Sequence, residues 1–439
     1  MNHPEIKCVI MGGGRGTRLH PLTSYRCKPA VPLGGSYRLV DIPISNCLNS
    51  GFNQIYVLTQ FKTTSLHKHI QQAYRFDRFD RGFVDILAAE QTLEKESWYQ
   101  GTADAVRQNL GHLHLAPSDL VIILSGDQLY RMDLAEMVAR HRQTSADLTI
   151  ATKVLPARDV SALGVTRVDE NGAITGFVEK PTDPAVIESL HVHGRILEAI
   201  RATKPACATA GNTPVCLASM GIYVFRADVL IEALDNTMTD FGKEVIPALL
   251  GKRQLQAHVF DGYWEDIGTV GSFWEANLAL TETVPPFNFF DSAHPIYTHA
   301  RFLPPAKINN ATVERVVLSE GSIVSDATLL RCVIGIRSVI RGGSRLTNVV
   351  MLGADVHEEP EDIRKNRELG RPDIGIGKNC VIQNAIIDKN SRVGDNCRLS
   401  PEGVEEKWEN ESLYKRDGVL IVKKDAIVPD NTTIGTLTI

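Results

Sequence analysis

"CVIMGGGRGTRLHPLT" occupies Cys8–Thr23 and sets the terms on which the rest of the chain is read. A short apolar run, Val9–Met11, stops at Gly12, Gly13, Gly14 and Gly16, with Arg15 and Arg18 set among them and Thr17 between. Apolar residues without alternation suit a strand buried on both faces. A glycine turn after such a strand lets backbone N–H groups approach oxyanions, and arginines on the same turn add charge-assisted hydrogen bonds. A phosphate is the natural occupant, although glycines alone would equally serve a tight structural turn. Neither of two familiar phosphate loops fits. The chain has no Gly-Lys-Ser/Thr, and Thr17 stands where a dinucleotide loop needs its third glycine.

Outward from this turn, apolar runs at Ile55–Leu58, Leu120–Leu124 and Leu148–Ala151 read as further buried parallel strands. Ala103–His114 and Leu134–Thr144 carry helical periodicity between them. That alternation predicts a three-layer, Rossmann-like α/β domain over residues 1–283. Five prolines in "ETVPPFNFFDSAHPIYTHARFLPP" (Glu282–Pro305) then predict an extended crossover, placed at 284–305. Beyond it, aliphatics recur every five or six residues at Val317, Ile323, Leu329, Ile334, Ile340 and Leu346. The pattern resumes at Ile376, Ile382, Ile387, Val393 and Leu399. This is the hexapeptide pattern of a parallel β-helix, expected to be left-handed and to fill residues 306–439. The charged stretch Glu358–Asp373 breaks the repeat and is expected to loop out from a corner.

Composition narrows the partners. A chain of 439 residues with a net charge of −5 has no general pull toward nucleic acid or anionic membrane, so phosphate recognition must be local. Eight cysteines without a Cys-x-x-Cys pair argue against zinc and redox motifs and suit reduced thiols. No run approaches the roughly 18 apolar residues of a spanning helix. The expected compartment is the cytoplasm, or a plastid stroma if a transit peptide once preceded Met1.

"GGGRGTRLHPLT" together with "KPAVPLGG" (Lys28–Gly35) resembles the signature of nucleotidyltransferases that make sugar nucleotides. "YRLVDIPISNCLNS" (Tyr37–Ser50) narrows the resemblance to ADP-glucose pyrophosphorylases of the plant and cyanobacterial branch. "WYQGTADAVRQ" (Trp98–Gln108), "SGDQLYRMD" (Ser125–Asp133), "FVEKP" (Phe177–Pro181), "DFGKEVIP" (Asp240–Pro247) and "DGYWEDIGT" (Asp261–Thr269) continue it along nearly the whole chain. The resemblance implies the reaction ATP + glucose 1-phosphate = ADP-glucose + diphosphate, which feeds glycogen or starch synthesis. It also implies Mg²⁺ as cofactor and a homotetramer or heterotetramer.

The resemblance assigns roles residue by residue. Arg15, Arg18 and the backbone of Gly12, Gly13, Gly14, Gly16 and Thr17 are expected under the phosphates that leave as diphosphate, with Lys28 a further cation. Asp127 and Asp266 are the expected Mg²⁺ ligands, and Arg15, Lys28, Asp127 and Asp266 form the expected catalytic set. Gln60, Gln91, Tyr99, Gly101 and Thr102 resemble the ATP pocket. Gly164, Glu179, Lys180 and Ser219 resemble the glucose 1-phosphate pocket. Arg26, Arg38 and Lys424 match a site for small phosphorylated effectors such as 3-phosphoglycerate or phosphate. Gln383 is read as standing at the usually basic fourth position of that site, which predicts a weaker effector response.

Three other readings stand beside this one. A related enzyme using UTP or dTTP shares the glycine loop, Asp127 and Lys180. A non-catalytic regulatory subunit would tend to lose the charged loop residues, which this chain keeps. An acyltransferase run by the β-helix lacks support, because no histidine lies between Lys307 and Asp355.

Overall fold

The computed structural model describes residues 4–12, 14, 16–89, 98–204 and 213–437. Gly13, Arg15 and Gln91 lie outside them.

The N-terminal half is built on a nine-stranded sheet. The strand Ile6–Met11 sits at its centre, parallel to Gln54–Thr59 on one side and to Leu120–Ser125 on the other. Val9 and Ile10 are fully buried because helices cover both faces of the sheet. The chain runs from this strand to Gln54–Thr59 and Phe83–Ala88 on one side and then returns to Leu120–Ser125 on the other, and this reversal of direction opens a crevice at its carboxyl end. The four runs expected as parallel strands each have a parallel partner, and the far edge of the sheet adds antiparallel pairing. Val215–Arg226 runs antiparallel to Leu120–Ser125, to Leu148–Pro156 and to Gly164–Val168, so the sheet is mixed. Leu148–Pro156 still pairs in parallel, but with Leu255–Phe260.

Val215–Arg226 carries the irregularity that shapes one wall of the crevice. Its register against Leu148–Pro156 shifts between Ser219 and Tyr223, and Gly221 within the shift has φ +68°. A bulge of this kind turns side chains out of the ladder and toward a cleft.

Residues 280–306 carry no helix or strand. From Lys307 onward short parallel strands stack in coils of 16 or 17 residues, as in Val324 on Ile340 and Thr328 on Arg345. Fully buried Leu329, Ile334, Ile340, Leu346, Ile376, Ile382, Ile387, Val393 and Leu399 fill the interior, as the hexapeptide pattern predicts. Two predicted positions differ: Val324, not Ile323, points inward in register with Ile340, and Val317 packs on the cluster shared with the N-terminal half while Val316 and Leu318 pack on the interior. Corners are taken by residues in the left-handed region such as Arg331, Asn348 and Asn384, types whose short polar or adaptable side chains tolerate it best when they are Asn or Asp.

The two halves share apolar surface. Val333, Val350, Ile386 and Ile421 of the β-helix fall in one buried cluster with Val270, Phe273 and Ala276 of the helix Val270–Ala279. Trp274 Nε1 donates to Asn348 O over 3.1 Å across the same seam. The charged stretch after Asp355 leaves the coil as the helix Pro360–Glu368 and is tied back by Arg392 Nη1 on Glu358 at 2.7 Å.

Candidate functional site

Three adjoining concavities meet at the carboxyl end of Ile6–Met11. The smallest, about 180 Å³, is lined by Gly12, Gly14, Gly16, Thr17, Arg18, Lys28, Asp127 and Gly268. Gly12 has no room for a side chain: its N–H donates to Leu58 O at 2.7 Å, and a Cβ would lie 2.6 Å from that oxygen. Gly16 sits at φ +61° at the head of the turn Thr17–Leu19, its carbonyl taken by Thr23 Oγ1 over 2.8 Å. The turn presents Arg18 to the cavity while Leu19 is buried beneath it.

Opposite the turn stand two carboxylates. Asp127 follows Leu120–Ser125, and Asp266 ends the strand Trp264–Asp266, which pairs antiparallel with Gln128–Tyr130 so that Asp266 lies across from Gln128. Ile267 N–H donates to Asp127 O over 3.2 Å and fixes the two segments to each other. Lys28 Nζ lies 2.5 Å from Asp127 Oδ2, and Ser125 Oγ donates to Asp127 Oδ1 over 2.5 Å.

These contacts push the two carboxyls apart in acidity. Burial raises Asp127, but the Lys28 ammonium and its hydrogen bond, Ser125 and Arg18 together outweigh it and hold the group below the usual carboxylate range. Asp266 goes the other way, raised by burial and then by the negative charge of Asp127. The pair is therefore a charge excess on hard oxygen donors facing a cation-rich turn. A divalent cation with phosphate oxygens completing its shell fits that donor set.

A second cavity, about 490 Å³, runs from Met11 and Gly14 past Gln60, Phe61, Trp98, Tyr99, Gly101 and Thr102 to Asp240. Phe61 and Trp98 are stacked with ring centroids 5.3 Å apart, which supplies a flat apolar wall. The third, about 310 Å³, is lined by Gly164, Glu179, Lys180, Ser219, Tyr223, Asp240 and Asp266 together with Arg18 and Asp127. Ser219 sits at the bulge, and Lys180, at φ +50° before Pro181, leaves the strand Ile174–Glu179 with its N–H on Leu163 O at 2.9 Å. Arg18 and Asp127 belong to the first and third cavities, so the phosphate turn stands between the other two. The structure thus gathers every described residue expected at the ATP and glucose 1-phosphate sites into this one crevice.

The residue that sequence reasoning missed is Asp240, which lines both larger cavities. Its Oδ1 accepts from Gly242 N and Lys243 N at the head of the helical segment Phe241–Val245, and Thr102 Oγ1 reaches Oδ2 at 3.4 Å. An aspartate before a turn of helix reads as a cap in sequence, and the capping bonds are indeed made.

A separate pocket of about 520 Å³ lies between the domains. Arg26, Arg38, Lys68, Arg301, Arg337, Lys389 and Lys424 line it against a single acidic residue, Asp355. Arg26 Nη2 is 2.7 Å from buried Asp388 of the β-helix, while Arg26 Nη1 is buried without a hydrogen-bond partner. Burial brings Arg38 down to about 10, the positive charge of Arg26 and Arg301 opposing Asp41 there, and burial also lowers Lys389. Asp355, which burial would raise, is held at about 2 chiefly by Lys389. A lining with that excess of positive charge suits an anion.

Arg26, Arg38 and Lys424 are in that lining, but Gln383 is not. Gln383 lies on the flat of the strand Val381–Ile387, in register with Thr347 and one residue before the corner at Asn384. The cation supplied by this coil is Lys389, beyond the end of that strand. The expected loss of a basic residue is therefore corrected: the basic position is filled.

Comparison with known families agrees with this arrangement. Residues 7–283 match the family model described as "Nucleotidyl transferase", and residues 301–433 match that described as "GLGC left-handed parallel beta-helix domain". No helix among the described residues is long and apolar enough to cross a membrane.

Proposed function

The chain belongs to the nucleotidyl transferase family in the architecture of the ADP-glucose pyrophosphorylases, and from that premise we propose that it joins ATP to glucose 1-phosphate, releasing diphosphate and ADP-glucose. The observation that carries this reading is the glycine turn, with Gly12, Gly14, Gly16, Thr17 and Arg18, set between two cavities, with Lys28, Asp127 and Asp266 beside it. ATP lies with its base between Gln60 and the Phe61–Trp98 wall, and its phosphates run over the turn. Glucose 1-phosphate lies along Glu179 and Ser219 with its phosphate toward Lys180. The sugar phosphate oxygen then meets the α-phosphorus from the side opposite the leaving diphosphate, as in-line displacement requires.

Little covalent chemistry is left for side chains, so positioning and charge neutralisation carry the step. Arg18, Lys28 and the turn N–H groups hold the departing oxygens, and Lys180 and Glu179 hold the nucleophile. Asp127 and Asp266 would hold Mg²⁺, which when bound neutralises phosphate charge. Ser125 and Lys28 keep Asp127 ionised and oriented for that duty.

The inter-domain pocket is read as an effector site for a small phosphorylated compound such as 3-phosphoglycerate or phosphate, supported by the unpartnered Arg26 Nη1. A tetramer is the expected assembly, testable by its mass in solution. The product would serve glycogen or starch synthesis.

The test is diphosphate release by the purified chain with glucose 1-phosphate and ATP, UTP or dTTP in turn, with Asp127→Ala as control. ATP-dependent release that the control abolishes supports the reading. Preference for UTP or dTTP moves the assignment to a related sugar-phosphate nucleotidyltransferase. No turnover with any of the three supports a regulatory subunit.

A further inference from the structure

A hairpin of the β-helix domain reaches the catalytic domain beside the crevice. Its strands, Leu413–Arg416 and Val419–Val422, pair Leu413 with Val422 and Arg416 with Val419, and close through Asp417 and Gly418 at φ +51° and +73°. Two positive φ values in an Asp-Gly turn make this a tight, twisted reversal with little freedom at its tip. Its base is anchored, since Tyr414, Val419 and Ile421 are buried in the cluster shared with the catalytic domain. Glu406 also clasps the tip from outside, taking Asp417 N–H at 2.6 Å and Gly418 N–H at 3.4 Å.

The tip holds both sides of the phosphate cavity. Arg416 Nη1 donates to Thr17 O over 2.9 Å, on the turn that carries Arg18. Asp417 Oδ2 accepts from Gly271 N over 3.0 Å, in the first turn of the helix Val270–Ala279, five residues after Asp266. A carboxylate is favoured at a helix N-terminus, so the second contact is charge-matched as well as hydrogen-bonded. His20, just past the turn, packs edge-on against Tyr414 with centroids 5.4 Å apart. Within the loop itself, Thr23 Oγ1 on Gly16 O and the bonds of one short helical turn restrain the same backbone.

We propose that Arg416 and Asp417 are positioning residues for the transfer reaction. They fix the phosphate turn relative to the strand end that bears Asp266, so that Arg18 and the two aspartates converge on one triphosphate. This rests on the nucleotidyl-transfer reading of the crevice. The inferred dependence falls mainly on the nucleotide side, because among the described residues the tip bonds to Thr17 and Gly271 and not to Glu179, Lys180 or Ser219.

The full-length chain and its Arg416→Ala, Arg416→Lys and Asp417→Ala variants are to be compared by steady-state kinetics, amide hydrogen exchange and thermal melting. Arg416→Ala raises the KM for ATP about five- to tenfold and leaves the KM for glucose 1-phosphate within twofold. It also speeds exchange at residues 16–20 with the melting midpoint unchanged. Arg416→Lys, which can still donate to a carbonyl, returns both readouts to near the parent value, and Asp417→Ala speeds exchange at 270–273. Unchanged exchange and unchanged KM for ATP in Arg416→Ala overturn the inference. So does an equal rise in both KM values with a fall in melting midpoint, which marks a merely structural contact. If the parent chain turns over no nucleotide, the proposed function fails, and exchange at 16–20 still decides whether the tip holds the turn.

Discussion

Lys28 Nζ and Asp127 Oδ2 stand 2.5 Å apart at the junction of the three cavities, with the ammonium on the side of the phosphate turn. One lysine thereby serves two anions, the carboxylate it holds ionised and the phosphates that pass over the turn. Lys28→Ala removes both services and is expected to lower kcat/KM by about 10²- to 10³-fold, the scale of losing one oxyanion donor. Asp127, freed from the cation, takes up a proton at higher pH. The acid limb of the kcat/KM profile is therefore expected to move upward in the variant, which a pH series against the parent enzyme checks.

Asp266 carries the opposite shift, raised by burial and then by Asp127. A cation between the two carboxylates competes with that proton, so higher Mg²⁺ is expected to extend activity to lower pH. Asp266→Asn is expected to raise the half-saturating Mg²⁺ about tenfold or more. A Mg²⁺ titration of turnover at two pH values reads both effects.

Arg26 and Asp388 form an ion pair at 2.7 Å, both nearly inaccessible, between the N-terminal segment and the β-helix. Removing one partner strands the other charge, which costs about 3–5 kcal/mol in such settings. Arg26→Ala is expected to lower the melting temperature sharply, and adding Asp388→Asn to recover much of the loss. Calorimetry of the two variants and their combination checks this.

Lys389, Lys424 and Arg38 line the inter-domain pocket, and Gln383 does not. Lys389→Ala is expected to raise the half-activating concentration of a phosphorylated effector at least tenfold, as loss of a charge-assisted contact does. Gln383→Lys is expected to change it less than twofold. Activation curves with 3-phosphoglycerate distinguish the two positions.

His141 is buried, with Nδ1 2.8 Å from Thr149 Oγ1 and Nε2 unpartnered. Burial, then Arg226, bring its pKa down to about 4 from an ordinary 6.5. Between those values the unfolded chain binds a proton that the folded chain refuses. Stability is therefore expected to fall as pH drops from 6.5 toward 4, by roughly 3 kcal/mol from this group. His141→Gln is expected to flatten that slope in chemical denaturation at pH 7 and pH 5.

Much of this was legible in sequence for a physical reason: both domains are built on short-range periodicities. The buried strand before Gly12 and the inward aliphatics of the β-helix announce themselves within a dozen residues. Residues that matter through distant contacts do not. Nothing local in Val215–Arg226 says that it runs antiparallel or bulges at Ser219. Asp240 reads as a helix cap, since the bonds that make it one are local while the two cavities it lines draw on segments scattered from Met11 to Asp266. Gln383 is assigned to the effector site by resemblance alone, and neither a motif match nor the hexapeptide spacing tells which outward face of the coil meets the other domain. That depends on the corner at Asn384 and on how the helix Val270–Ala279 docks.

The coils of the β-helix have a consequence for how such a chain can vary in length. Ile340 stacks on Ile376, and Val393 on Val428, although each pair is separated by far more than the 16 or 17 residues of a plain coil. The surplus leaves at a corner, once as the helix Pro360–Glu368 and once as residues 400–418, after which Val419–Val422 rejoins the ladder on Ala385–Ile387, and the chain re-enters in step. Length is thus quantised along the axis and free at the corners. One added coil would shift every later rung by about 4.8 Å, whereas a longer corner excursion would shift none and can carry new chemistry as far as the neighbouring domain.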